Sequence, residues 1–391
     1  MPVLGPALAV QPAERSRWQL VAGPASGGHE LALTAARDRR YTAKLTEPSE
    51  LSFTIDGRHP QAAAIVELTT DIHLLWTDAA GQTRILDRHR VGGNPQDVIT
   101  EDSHRLQVAT LDYREVLARR NLYSFNQLVW TGIDQAEIAW GLVAQTQGNA
   151  GGALGIVKGW AGTAPTGINR DRTYEAGDSV GQRIQELSEV TDGFDWDVQP
   201  ASAATLRLDV FFPQRGGNKD VVLELGGLIK TVQRDVPTSD YANAIRYTGG
   251  GDTPPAPVEL QADELTGLSG PPPQGRWDKT YGDDGLTTQS ALGDRASWQL
   301  GQAQVIRPTY TVTLRRGGWA GPDHIWLGDT VRLIIRSGRL DVDTGLRVYE
   351  VQIDLDGDGG EAVTLALGGP RPDYRRRATA VERRLANLER R

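Results

Sequence analysis

The chain contains no cysteine. Disulfides, thiolate metal sites and cysteine nucleophiles are therefore excluded, whatever the fold. No run approaches the roughly 18 consecutive apolar residues that a membrane-crossing helix needs. Residues 1–10 are mildly apolar but lack a basic leading region and are broken by Pro2, Gly5 and Pro6, so they do not read as a signal peptide. A cytoplasmic site of synthesis without membrane insertion is the expectation. A basic surplus is also missing. The formal net charge is −8, which argues against general nucleic-acid binding, where a basic face supplies the affinity. The basic exception is residues 371–391, where the cations flank an apolar seam.

Recognisable catalytic motifs are absent as well. The six histidines are His29, His59, His73, His89, His104 and His324. None forms an HExxH pair or stands with two others at ligand spacing, so no metal site is expected. Asp354, Asp356 and Asp358 imitate the front of a calcium loop, but its twelfth position is Leu365 where a bidentate Glu is required. A polar hairpin turn is the simpler reading. No GxxxxGK[ST] or GxSxG pattern occurs, and residues 151–155 lack the strand–turn–helix setting of a dinucleotide site. The carboxylate pairs Glu186 with Glu189, and Asp195 with Asp197, could be imagined as a glycosidase acid and base. Any acidic protein offers such pairs. No catalytic residue, cofactor or metal ligand is assigned.

What is there is abundant turn chemistry and alternation. With 45 Gly and 21 Pro among 391 residues, long helices are expected to be scarce and strands to dominate. Residues 1–112 read as a first β-barrel-like domain. Strands are expected at 18–22, 31–35 and 105–111. Residues 43–55 alternate with Leu45, Leu51, Phe53 and Ile55 on one side, broken at Pro48. A hairpin is expected around 78–81, and a short helix over 60–68. Residues 113–204 read as an α+β insert, with helices over 113–122, 134–146 and 178–191 and a glycine-rich loop over 148–167. Asp134 and Asp178 or Ser179 are the expected helix caps. Residues 205–369 read as a second β-barrel-like domain. It has Pro/Gly-rich loops at 249–257 and 267–275, a helix over 290–305, and strands at 309–314, 330–335, 346–355 and 362–367. The fold class is thus mainly β with an α+β insert.

Residues 370–391 form a final segment. Ala378, Val381, Leu385 and Leu388 are spaced three, four and three apart, the rhythm of a coiled-coil seam. A lone helix so short is marginal in water. The seam needs a partner, either copies of the same chain or the chain's own body. We read it as an oligomerisation stalk in its first turns. Ten tryptophans are present. Trp160, Trp277 and Trp319 stand beside glycines in expected loops and could form a sugar platform, although such residues more often fill cores and interfaces.

Certain strings carry a resemblance. Leu51-Ser-Phe-Thr-Ile-Asp-Gly-Arg-His-Pro60, Ile65-Val-Glu-Leu68 and Ile72-His-Leu-Leu-Trp76 look like the N-terminal segment of minor tail proteins from phages of actinobacteria. Val108-Ala-Thr-Leu-Asp-Tyr-Arg-Glu-Val-Leu-Ala118 is similar to the segment that follows there. These proteins are related to the baseplate hub, or tail-associated, proteins of long-tailed phages. The resemblance implies a homotrimer whose two barrels per subunit form a pseudo-sixfold ring. Such a ring joins a sixfold tail tube to threefold tip or fibre components. It implies partners such as the distal tail protein, the tape measure protein and other tip proteins. DNA would pass through its channel without specific binding, which the acidic balance suits. The place implied is the virion tail tip, after assembly in the host cytoplasm. Two rival readings are a tail protein binding host-wall carbohydrate through the loop tryptophans, and a cell-wall hydrolase using a carboxylate pair.

Overall fold

The computed structural model describes residues 17–369, apart from 124–126, 191, 251–252, 266–274, 284–288, 316 and 357–360. The chain is mainly β and divides into two compact units. One comprises Met1–Val232 and Thr311–Pro370, and the other includes Gln233–Tyr310.

The larger unit begins with eight strands: β1 (Trp18–Pro24), β2 (Leu31–Ala32), β3 (Arg37–Lys44), β4 (Glu50–Asp56), β5 (Thr70–Thr77), β6 (Thr83–Val91), β7 (Gln96–Ile99) and β8 (His104–Asp112). The alternation expected over 43–55 belongs to two strands, β3 and β4, with Pro48 in the turn between them. Leu45, Leu51, Phe53 and Ile55 are all buried. The expected β5–β6 hairpin turns at Asp78, whose carboxylate accepts the Gln82 amide at 2.8 Å, with Gly81 at φ +80°. The expected helix over 60–68 is only a 3₁₀ turn, Pro60–Ala64.

An α/β module follows: α1 (Tyr113–Ala118), β9 (Gln127–Asp134), α2 (Gln135–Gln147), β10 (Ile156–Lys158), β11 (Asn169–Glu175), α3 (Val180–Ser188), β12 (Asp195–Pro200) and β13 (Leu206–Phe211). Side chains of Asp112, Asp134 and Ser179 cap the three helices, each accepting an amide left free in the first turn. Ile138, Leu142, Ile184 and Leu187 meet Trp196 and Leu208 in one apolar core.

After β14 (Asn218–Glu224) and β15 (Ile229–Asp235), the chain forms the smaller unit. Its strands are β16 (Ala244–Gly249), β17 (Val258–Gln261) and β18 (Asp278–Asp283), ordered β17-β16-β18, followed by α4 (Gln289–Ala303). Ile245 and Tyr247 pack with Leu292, Ala296 and Leu300 of α4. The last strands are β19 (Thr309–Leu314), β20 (Thr330–Ser337), β21 (Leu340–Asp354) and β22 (Ala362–Leu367).

The strands numbered one to eight join β14, β15 and β19 to β22 in a single 14-stranded sheet. The seam is the antiparallel pair β3–β21, running from Lys44 opposite Glu350 to Arg40 opposite Asp354. Tyr41 and Ala43 are buried there beside Val351 and Ile353. Four tryptophans close one side of the join. Trp319 stacks on Trp18 at 6.1 Å and on Trp326 at 6.2 Å, and Trp18 lies 6.5 Å from Trp76.

Candidate functional site: a buried ionic junction

The strongest concentration of chemistry is a set of charged side chains where the module meets the large sheet. Asp112 ends β8 and caps α1. Two residues on, Arg114 donates to the carbonyls of Lys44 at 2.8 Å and Leu45 at 3.1 Å, and to that of Glu47. Its guanidinium lies 3.6 Å from Asp112 and 3.7 Å from Asp197 of β12. Asp197 also accepts from Arg215 at 2.7 Å. Asp195, two positions earlier on the same face, accepts the Arg215 amide at 2.6 Å and the side chain of Arg347 from β21. The junction thus ties β8, α1, β12, β21 and the segment at Arg215 together.

The charges tune one another. Burial alone would raise the Asp197 carboxyl, but Arg114 and Arg215 hold it below the usual range. Burial raises Asp112 despite Arg114 beside it, and Asp87 and Asp197 add to the rise. Arg114 is buried too, yet Asp112 and Asp197 push its pKa up.

A second cluster lies nearby. Tyr41 donates to Asp87 at 2.6 Å, and Nε2 of His89 is 3.1 Å from the same oxygen. The Thr110 hydroxyl lies 2.9 Å from the Leu51 carbonyl and 3.0 Å from Nδ1 of His89, and a hydroxyl that donates to the carbonyl is free to accept from the ring. With Asp87 at Nε2, this arrangement favours the imidazolium form of His89. Its pKa is raised although burial pulls it down, because Asp87, Asp112 and Asp71 favour the charged form. Asp71 in turn accepts from Arg88 and Tyr113, each at 2.6 Å, and from Arg90. His73 is the opposite case. It is fully buried, meets His29 edge-on at 4.4 Å, and has no hydrogen-bond partner on either ring nitrogen among the described residues. Burial first, then His29 and Arg88, lower its pKa to about 2.

This arrangement holds segments in place. Asp195 and Asp197 share a strand face, but both are engaged by arginines. Glu186 accepts from Arg183 and Gln182, and Glu189 from Gln185, all at the surface of α3. Asp354 pairs with Arg40 and Asp356 with Arg39, both at 2.6 Å; Asp358 lies outside the described residues. Among the described residues no group of three or more His, Asp or Glu side chains is arranged so that it could hold a metal ion.

The three loop tryptophans have separate environments. Trp319 is 3% exposed and donates to the Ile325 carbonyl. Trp160 packs against the module core, donates to Glu137 at 2.9 Å, and has the Lys158 ammonium 5.1 Å from its ring centroid. Trp277, in the smaller unit, is exposed. Ala378, Val381, Leu385 and Leu388 lie outside the described residues. Sequence reasoning did not single out Arg88, Arg114, Arg215 or Arg347. The only available signal was charge inside otherwise apolar strands, as at Asp71 and His73 of β5.

No protein-family model and no curated protein matches the chain. Solved structures do. A tail protein from Neisseria meningitidis MC58 superposes with a TM-score of 0.59 at 15% identity, covering 90% of this chain and 96% of that one. The 43 kDa tail protein of prophage MuSo2 from Shewanella oneidensis gives 0.58 at 11%, covering 89% and 98%. The prophage tail protein gp18 from Listeria monocytogenes EGD-e gives 0.54 at 11%, covering 95% and 99%. Over nearly its whole length, the chain has the fold of these phage tail proteins.

Proposed function

We propose that this chain is a structural hub of a phage tail tip. Three copies close into a pseudo-sixfold ring around the DNA exit channel. The ring joins the sixfold tail tube to threefold tip or fibre components, and its neighbours are the distal tail or tube protein and the tape measure protein. The observation that carries the reading is a shared fold covering 90% of this chain and 96% of the Neisseria tail protein. Two strand sets, eight before the module and six after it, meet at β3–β21, which suits two ring-forming β domains per copy. The ionic junction suits a part that must hold its segments rigidly under load. In this reading 1–112 and 205–369 supply the ring domains, 113–204 the insert, and 370–391 the first turns of a threefold stalk through Ala378, Val381, Leu385 and Leu388. The short strings noted above suggest a phage of actinobacteria.

The test is solution mass by light scattering, for the full chain and for a version ending at Pro370. The expected result is a trimer for the full chain. Loss of the trimer on truncation assigns assembly to the terminal segment, and its survival assigns assembly to the β domains. A monomer at every concentration would overturn the self-assembling hub.

A further inference from the structure

His73 stands at the centre of β5, which is paired along both edges. Across one ladder His73 faces Val21 of β1, and across the other it faces Arg88 of β6. Its ring is fully buried, and neither nitrogen has a hydrogen-bond partner among the described residues. His29 lies edge-on against it with the ring centroids 4.4 Å apart, and Nε2 of His29 is buried without a partner as well. A buried polar group without a partner is costly, and a buried unpaired charge far more so. The fold therefore holds both imidazoles neutral.

His29 belongs to the loop that joins β1 to β2, residues 25–30. This loop is seated on the turn between β12 and β13, residues 201–205 of the α/β module. The Gly28 amide donates to the Ala203 carbonyl at 2.9 Å. Arg88 binds loop and turn together: Nη2 donates to the Ala25 carbonyl at 3.0 Å, and Nη1 to the Ala203 carbonyl at 3.4 Å. The seat is close, since a β-carbon on Gly27 would sit 2.5 Å from Cα of Ala204. The arginine that joins loop to turn is thus the one that faces His73 across the ladder.

We propose that this loop is an acid-operated latch, in which protonation of His73 and His29 releases residues 25–30 from the β12–β13 turn. An imidazolium at His73 would face the Arg88 guanidinium directly, and like charges opposite one another across a ladder repel. The surroundings offer no spare anion. Asp71 of β5 is already bound by Arg88, Arg90 and Tyr113. Asp87 and His89, on either side of Arg88 in β6, point the other way, toward Tyr41 and Thr110. Neither β1 nor the 201–205 turn has a titratable side chain, and Glu30, next to His29, is exposed. His73 is fixed by its two ladders. The half-buried His29 is not, because its loop turns on Gly27 and Gly28, both at positive φ. Opening gives both rings water and an ordinary pKa of about 6.5. Below that value each freed imidazole favours the open loop by up to about tenfold per pH unit.

The test is hydrogen exchange of the full chain read by mass spectrometry between about pH 7.5 and 5.5, with rates corrected for the intrinsic effect of pH. In the wild type, protection of a peptide spanning 24–31 is expected to fall roughly tenfold or more, while that of β22 holds. His73→Phe keeps a ring in place without a proton to take up, and His29→Gln alters a loop residue that is not needed for the core. Each is expected to weaken the fall, and the double variant to remove it, with folding checked by circular dichroism. If His73→Phe does not fold, His29→Gln decides alone. Protection of 24–31 that does not fall in the wild type would overturn the latch. An equal fall in the folded variants would overturn it too, by assigning the effect to another group. So would a fall shared by β22, which is global unfolding. None of these outcomes depends on the hub reading.

Discussion

Arg347 on β21 donates to Asp195 on β12, a residue 152 positions earlier in the chain. The same Nη2 donates to the Arg215 carbonyl at 2.9 Å. Through this contact the long strand at the centre of the large sheet is fixed to the α/β module. Asp197, next on the same face, holds Arg114 and Arg215. Removing it would leave two buried guanidinium groups short of a counter-charge, and breaking a buried pair is costly because the partner stays behind. Asp197→Ala is expected to lower unfolding free energy by about 3–5 kcal/mol in urea titration. Glu186→Gln on the surface of α3 should cost under about 1 kcal/mol. Equal effects would show that the junction is not a structural clamp.

The tryptophan cluster gives a second, independent measure of the join. Trp319 and Trp18 lie within 2° of parallel, and Trp18 donates to Glu361 at 2.7 Å. Trp319→Ala is expected to cost about 3–5 kcal/mol, as for other large aromatic truncations in cores. Gly321 has φ +125°, and a β-carbon there would sit 2.3 Å from Cζ2 of Trp76. Gly321→Ala should therefore cost roughly 1–3 kcal/mol from the backbone alone, with displacement of Trp76 added. Altered tryptophan fluorescence should accompany the loss of stability.

Trp160 tests the glycan reading. Its indole already donates to Glu137, and Lys158 sits over its ring. Trp160→Ala is expected to lower the melting temperature without changing any saturation-transfer signal from muropeptides or wall sugars. A saturable sugar signal that disappears with Trp160 would revive carbohydrate binding.

Much of the β architecture was legible because its strands alternate. The strand expected at 362–367 has those bounds, Asp134 is the cap expected of it, and of the two candidates Asp178 and Ser179 it is Ser179 that caps α3. The strands β7, β9, β10, β17 and β18 were not legible, and three further cases show the physical reason. Strand β11 reads Asn-Arg-Asp-Arg-Thr-Tyr-Glu, and only Tyr174 on it is buried, so its alternation is too faint to register. The N-terminal half of β3 is similarly rich in arginine, because those residues pair with acids near the end of β21. The 3₁₀ turn at Pro60 looked like a full helix because local propensity does not report that Leu68 adopts φ +62°. The ionic junction was the least legible feature. Its charges come from segments far apart in the chain, and no local spacing encodes their meeting.

His73 and His89 should give pH dependences of opposite sign. His73 binds no proton in the native state until about pH 2, whereas in the unfolded chain it protonates near its ordinary value of about 6.5. The unfolded state thus holds the extra proton, and stability falls as pH drops below about 6.5. His89 is raised. Its contribution is complete below about 6.5 and is lost as pH rises through the higher folded value. Urea midpoints measured across about pH 5–8 should separate the two. His73→Phe is expected to flatten the acid side, where a single proton is worth up to about 1.4 kcal/mol per pH unit. His89→Gln is expected to flatten the loss on the alkaline side and to lower stability most at acid pH, because Asp87 then loses its cationic partner. If His89→Gln proved most destabilising at alkaline pH, the imidazolium assignment and the hydrogen-bond sense at Thr110 would both be wrong.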